Sequence, residues 1–175
     1  MPLDHLWATW RSVYVTKIAD SRTAPTREEA AGRSLFERIL AQADLEGDDA
    51  AFIVRRGPTC FVLLNLFPYT SGHLCVLPNR AVENLEDLTS DEHDELWATV
   101  RDAVLAQRQA FGCDAVNVGL NLGAAAGGSQ SDHLHVHCVP RWAGDVNFIG
   151  VAAETRVLPI ALEEALSKLR AAWPT

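Results

Sequence analysis

The run Asp132-His133-Leu134-His135-Val136-His137-Cys138-Val139-Pro140 constrains the fold more than any other segment of this 175-residue chain. In a β-strand successive side chains alternate between faces, so His133, His135 and His137 project together while Leu134, Val136 and Cys138 enter a core. Such a strand needs sheet neighbours and a second layer against its apolar face. Three of the six histidines lie within these five residues, more imidazole than packing requires.

The remaining elements follow from periodicity. Asp4 to Tyr14 is Trp-rich and reads as an ordered arm, and Ser21 to Thr26 as a loop. Arg27 to Ala43 carries a helical apolar pattern, with Gly47 just beyond it. Ala51 to Arg55 and Cys60 to Asn65 are short β-rich runs joined by the turn Arg56-Gly57-Pro58-Thr59, and Gly72 to Pro78 is a third strand. Thr89 and Glu92 form an S/T-x-x-E capping box opening a long helix that Gly112 stops. Ala115 to Leu122 is a strand, Gly123 to Ser131 a glycine-rich loop, His133 to Val139 a strand, and Leu162 to Ala172 an amphipathic helix. Hairpin-joined strands with helices packed on one face predict an α+β domain with a mainly antiparallel sheet of about five strands.

Length and charge bound the rest. One domain is expected over 1–175, divided into an arm (1–26), a core (27–150) and a C-terminal extension with its helix (151–175). The net charge of −8 argues against an extended nucleic-acid partner, though not against a small phosphorylated ligand. No apolar run is long enough for a membrane span, and the N-terminus has no signal-peptide pattern, so a cytoplasmic protein is expected. Cys60, Cys75, Cys113 and Cys138 sit among apolar neighbours without C-x-x-C spacing and read as buried reduced thiols.

Three chemistries compete for the histidine strand. It is a solvated or core-satisfied polar face; or a metal site, since His-x-His on a strand is good ligand geometry; or a nucleophilic imidazole with neighbours that set its tautomer. The metal reading lacks a further ligand after His137. The stretch Gly119 to Ser129, with Gly119, Gly123, Gly127 and Gly128, favours the third reading, because glycines let successive N–H groups close on an anion.

His133-Leu-His135-Val-His137-Cys-Val matches the His-φ-His-φ-His-φ-φ signature, and here the chain resembles the histidine-triad (HIT) superfamily of nucleotide hydrolases and transferases. The likeness extends to Leu6-Trp7-Ala8-Thr9-Trp10-Arg11, to Asn65-x-x-Pro68-x-x-x-Gly72-His73, to Arg141-Trp142-Ala-Gly144-Asp145-Val-Asn147-Phe148 and to Thr155-Arg156-Val157-Leu158-Pro159. These blocks resemble a bacterial branch that includes diadenosine tetraphosphate phosphorylases.

The resemblance implies a HIT-like fold and attack on the α-phosphate of a dinucleoside polyphosphate, through a covalent nucleotidyl-histidine on His135. It implies that His133 sits by the bridging oxygen and aids the leaving group, and that His137 binds a phosphate oxygen with His73 beside it. Asn65 would meet the ribose hydroxyls; Asn121, Gly128 and Ser129 the phosphates or leaving group; and Phe36, Ile39, Leu63 and Leu66 the base, four residues that equally suit plain core. No cofactor is required beyond Mg2+ that arrives with the substrate. Many relatives carry Cys-x-x-Cys at the first helix to help bind zinc. Here the stretch is Ser34-Leu35-Phe36-Glu37, so no metal residue and no structural zinc are expected. A homodimer or homotetramer is implied. Within the enzyme class the alternatives are a phosphoramidate hydrolase or a specialised nucleotidylyltransferase; outside it, a non-catalytic nucleotide-binding protein.

Overall fold

The computed structural model describes residues 33–127, 130–146 and 158–174. Residues 1–32, which hold the N-terminal arm and the expected start of the first helix, Gly128, Ser129, the segment from Asn147 to Val157 and Thr175 lie outside the described residues. Residues 33–175 cluster as one compact unit.

Within it run α1 (Leu35–Glu46), β1 (Ile53–Arg56), β2 (Cys60–Leu64), β3 (Leu74–Pro78), α2 (Ser90–Phe111), β4 (Ala115–Leu120), β5 (Val136–Arg141) and α3 (Leu162–Ala171). The five strands form one sheet in the order β1-β2-β3-β5-β4, antiparallel at every junction. The α+β class and the antiparallel five-stranded sheet agree with the sequence reading.

Helix placement differs from it. Every residue of β2 and β3 is buried, so this part of the sheet needs cover on both faces. Cys60, Val62, Leu64, Leu74 and Val76 face the larger core, with Leu96 and Val100 of α2, Leu166 and Leu169 of α3, and Leu134, Val136 and Cys138. The alternate residues Phe61, Leu63, Cys75 and Leu77 face a second cluster built with Ala43, Phe36, Ile39 and Leu40 of α1. So α2 and α3 share one face, and α1 covers the other. The expectation of helices on one face is corrected: an alternating run shows one apolar face, but the continuous runs Cys60-Phe-Val-Leu-Leu and Leu74-Cys-Val-Leu-Pro require two covers.

The helix starts explain themselves chemically. At α2, the Thr89 hydroxyl accepts the Glu92 N–H (3.3 Å), and the Glu92 carboxylate accepts the Thr89 N–H (2.8 Å). Gly112, at φ 58°, closes the helix in the left-handed region. The first helix begins at Leu35 within the described residues, with Ser34 as its N-cap: Ser34 Oγ accepts the Glu37 N–H (3.1 Å), and Glu37 accepts the Ser34 N–H (2.9 Å). Each box satisfies backbone donors that a helix start otherwise leaves open.

The histidine strand is also shorter than expected. β5 starts at Val136, because the ladder with β3 ends at the Val76–Val136 pair. Before it, the Leu134 N–H donates to Val82 O at 2.6 Å, in the loop after β3. Pro78 O, at the end of β3, meets the His133 ring instead of a ladder N–H.

Candidate active site

The histidine array lies on the α1 face of the sheet. His137 projects from β5, paired across the ladders with Cys75 of β3 and Gly119 of β4. A Cβ at Gly119 would meet nothing within 4 Å, so the space beside His137 on the β4 side is open. The His135 and His137 rings stand edge to face with centroids 4.8 Å apart. Phe36 of α1 lies 5.4 Å from both the His133 and the His135 rings.

Hydrogen bonds fix the protons on these rings. His135 Nδ1 lies 2.8 Å from the carbonyl oxygen of His133. A carbonyl only accepts, so Nδ1 carries the proton and Nε2 keeps its lone pair. At His73, Nδ1 receives the Tyr69 N–H at 3.2 Å, which places the proton on Nε2, 3.0 Å from His137 Nδ1. His137 then holds its own proton on Nε2 and offers it as a donor. Burial, with the adjacent His135 adding to it, lowers the His137 pKa to about 4, so this ring is neutral near pH 7.

Gly72 makes this placement available. Its φ is 79°, and a Cβ there would lie 2.3 Å from the Phe111 ring, so the Gly72-His73 pair of the motif is a steric necessity. Asn65 closes the same turn. Its Oδ1 accepts the Phe67 N–H at 3.0 Å, and its Nδ2 lies 3.4 Å from His73 Nδ1.

His133 differs from its neighbours. It is fully buried, with Nε2 2.9 Å from Pro78 O and Nδ1 2.7 Å from Ser34 Oγ. The ring donates to the carbonyl and accepts the serine hydroxyl proton, and burial lowers its pKa. Both nitrogens are engaged within the protein. The expected contact of His133 with a bridging oxygen would require one of these two hydrogen bonds to give way.

Phe36, Ile39 and Leu63 come together in the cluster beneath α1, whereas Leu66 is 53% exposed and stands outside it. Asn121 is half-buried, one residue past the Leu120–Val136 pair that ends the β4–β5 ladder. Gly128 and Ser129 fall outside the described residues. Sequence reasoning missed Ser34, the Tyr69 N–H and Cys75. The first carries a sequence signal, since Ser34-x-x-Glu37 is the same capping pattern recognised at Thr89, but it lies inside the longer apolar pattern that starts at Arg27.

Two groups bear on metals. The ligand atoms of His73, Cys75 and His137 lie within 4.8 Å of one another. A metal there would have to displace the proton that Tyr69 confines to His73 Nε2, and a thiol proton whose pKa burial drives far above its ordinary value. At the first helix, Ser34 and Glu37 stand where the resembling family carries its cysteines. Ser34 Oγ is spent on His133 and the helix cap, and Glu37 on the Ser34 and Ala81 N–H groups. These residues do not fit a thiolate zinc site.

Known proteins resemble this chain in sequence and in fold. The model of the HIT domain matches residues 46–144. The chain is 37% identical over 171 residues to an AP-4-A phosphorylase of Mycobacterium tuberculosis, spanning 98% of this chain and 85% of that one. It is 39% identical over 82 residues to an asymmetrical bis(5'-nucleosyl)-tetraphosphatase of Schizosaccharomyces pombe, covering 47% and 44%. Among solved structures, a zinc-bound histidine triad family protein from Mycobacterium smegmatis superposes with a TM-score of 0.61 at 29% identity, over 76% of this chain and 91% of that one. The chain belongs to the HIT domain family.

Proposed function

We propose that this protein cleaves dinucleoside polyphosphates at the α-phosphate through a covalent nucleotidyl intermediate on His135. The observation that carries the reading is the His135–His133 hydrogen bond, which places a proton on His135 Nδ1 and leaves Nε2 as the nitrogen to act as nucleophile. The similarity to an AP-4-A phosphorylase over nearly the whole chain supports the substrate class.

The reaction runs in two displacements. His135 Nε2 attacks the α-phosphorus; an N–P bond forms as the bond to the bridging oxygen breaks, and the polyphosphate leaves as its anion. An oxygen of the acceptor, phosphate or water, then attacks the same phosphorus and releases His135. A neutral imidazole avoids the repulsion that an anionic nucleophile meets at a phosphate, and the intermediate divides one hard step into two. The His137 Nε2–H is suited to donate to a non-bridging oxygen as charge collects there. Asn121 and the amides around Gly128 and Ser129 are the proposed partners of the remaining phosphates. Phe36, Ile39 and Leu63 are the proposed base slot with Leu66 at its rim, and Asn65 the proposed partner of the ribose. Mg2+ enters as a companion of the substrate phosphates.

A homodimer formed through β4 completes the proposal. This strand is a sheet edge with exposed residues on both faces, Asn117 and Val118 among them, and an open edge invites a second strand. Four buried free thiols support a reducing, cytoplasmic setting, and among the described residues no helix is long and apolar enough to cross a membrane.

The test is product analysis with diadenosine tetraphosphate, with and without inorganic phosphate. ATP plus ADP formed only with phosphate marks a phosphorylase, and ATP plus AMP formed without it marks a hydrolase. No turnover in either condition overturns the dinucleotide assignment.

A further inference from the structure

His133 occupies the first position of the triad, yet its ring faces only protein. It is wholly buried, its Nε2–H donates to Pro78 O at 2.9 Å, and its Nδ1 accepts from Ser34 Oγ at 2.7 Å. Ser34 is itself 97% buried, with 3% of its surface exposed, and its hydroxyl does two things at once. The oxygen accepts the Glu37 N–H that starts α1, and the proton goes to His133. The main-chain carbonyl of His133 in turn accepts the Nδ1–H of His135.

We propose that Ser34 is a positioning residue for the reaction: by donating to His133 Nδ1 it clamps that ring against Pro78 O, and so holds the His133 carbonyl where it fixes the tautomer of His135. The relay runs from Ser34 Oγ to the His133 ring, through the His133 main chain, to the His135 Nδ1–H. It ends at the nucleophilic lone pair.

Three features of the site support the relay. Among the described residues the Ser34 hydroxyl is the donor to His133 Nδ1, so losing it leaves a buried acceptor without a proton. Leu134 adds a second anchor, its N–H donating to Val82 O at 2.6 Å, so the peptide that carries the His133 carbonyl is held at its far end by this bond and at its near end by the clamped ring. Glu37 fastens the cap to the same loop by accepting the Ala81 N–H at 3.0 Å. The helix that presents Phe36 to the His135 ring and the loop that holds Leu134 are thereby tied at one serine.

The inference rests on the proposed function for its kinetic arm only. The experiment compares Ser34→Ala, Ser34→Thr and Ser34→Asp with wild type in two measurements. One is 15N–1H correlation of the histidine rings, which reports the tautomers of His133 and His135 without substrate. The other is kcat and KM on diadenosine tetraphosphate. Aspartate caps a helix as well as serine does, but ionised it has no proton for Nδ1, so it separates capping from donation even if the alanine variant fails to fold.

In wild type the proton is expected on Nε2 of His133 and on Nδ1 of His135. Ser34→Ala and Ser34→Asp disturb both patterns and lower kcat about tenfold with KM nearly unchanged, the size expected for one buried hydrogen bond. Ser34→Thr restores both. Wild-type ring signals in Ser34→Asp, or a wild-type kcat in either non-donating variant, overturns the inference while leaving the nucleophile assignment intact. If the wild type turns over no dinucleotide, the functional reading fails alone and the ring signals still decide the role of Ser34.

Discussion

Helices α1 and α2 begin with the same device, a hydroxyl at the N-cap and a glutamate three residues on, and the two differ in what the device touches next. At α2, Glu92 takes Arg80 in two contacts of 2.6 and 2.8 Å. At α1, Glu37 takes the N–H of Ala81, and the Ser34 hydroxyl takes His133. The two boxes therefore grip adjacent residues of one loop from opposite faces of the sheet. The α2 contact is an ion pair whose arginine is half exposed, a class worth little to stability. The α1 contacts are partly or wholly buried and reach the histidine array. A capping motif is thus a local stabiliser wherever it occurs, and becomes part of a site only when the spare proton of its hydroxyl meets a functional ring.

The largest effect that sharpens this contrast is expected at Leu96, fully buried on α2. Leu96→Ala removes core contacts and costs about 2–5 kcal/mol in denaturant unfolding, while kcat per folded molecule stays at the wild-type value. A parallel fall in kcat would make α2 part of the site and erase the distinction. Next come the caps themselves. Ser34→Ala and Thr89→Ala each lower stability by about 1 kcal/mol, but only the first lowers kcat.

Much of this was legible in the sequence, and the exceptions have physical causes. The Thr89 box and its Gly112 stop were readable because a long amphipathic pattern follows them. The Ser34 box was not, because apolar periodicity runs upstream of it from Arg27 and masks the cap. The histidine array was legible from alternation alone, since His135 and His137 face α1 while Leu134, Val136 and Cys138 fill the other core. What alternation could not give is the different condition of His133. Its ring replaces a backbone donor at Pro78 O, a contact made across 55 residues of chain. Likewise Cys60-Phe-Val-Leu-Leu looked like an ordinary strand, and that it is covered on both faces depends on where α1 returns.

Acid titration gives a smaller, two-stage test. His133 and His137 resist protonation in the folded protein, the latter down to about pH 4, whereas the unfolded chain takes up these protons near 6.5. Stability therefore falls as pH drops from 6.5 towards 4, and His137→Asn flattens that slope. The Arg80 guanidinium holds Glu92 at about 2 against an ordinary 4.5, so its contribution is present above 4.5 and is lost as pH falls through 2. The smallest effect is that of Arg80→Ala, about 0.2–1 kcal/mol near pH 7, with kcat unchanged; it removes the lower stage and leaves the upper one. A variant that altered both stages together would show that the two boxes act as one unit.

The central claim is the nucleophilic role of His135, and trapping the intermediate tests it most directly. Protein mixed with labelled diadenosine tetraphosphate in the absence of phosphate, quenched in base within the first turnover and digested, should yield one adenylylated peptide with the nucleotide on His135 as a base-stable phosphoramidate. His135→Asn should yield none. A label on another residue, or undiminished turnover by His135→Asn, would contradict the account.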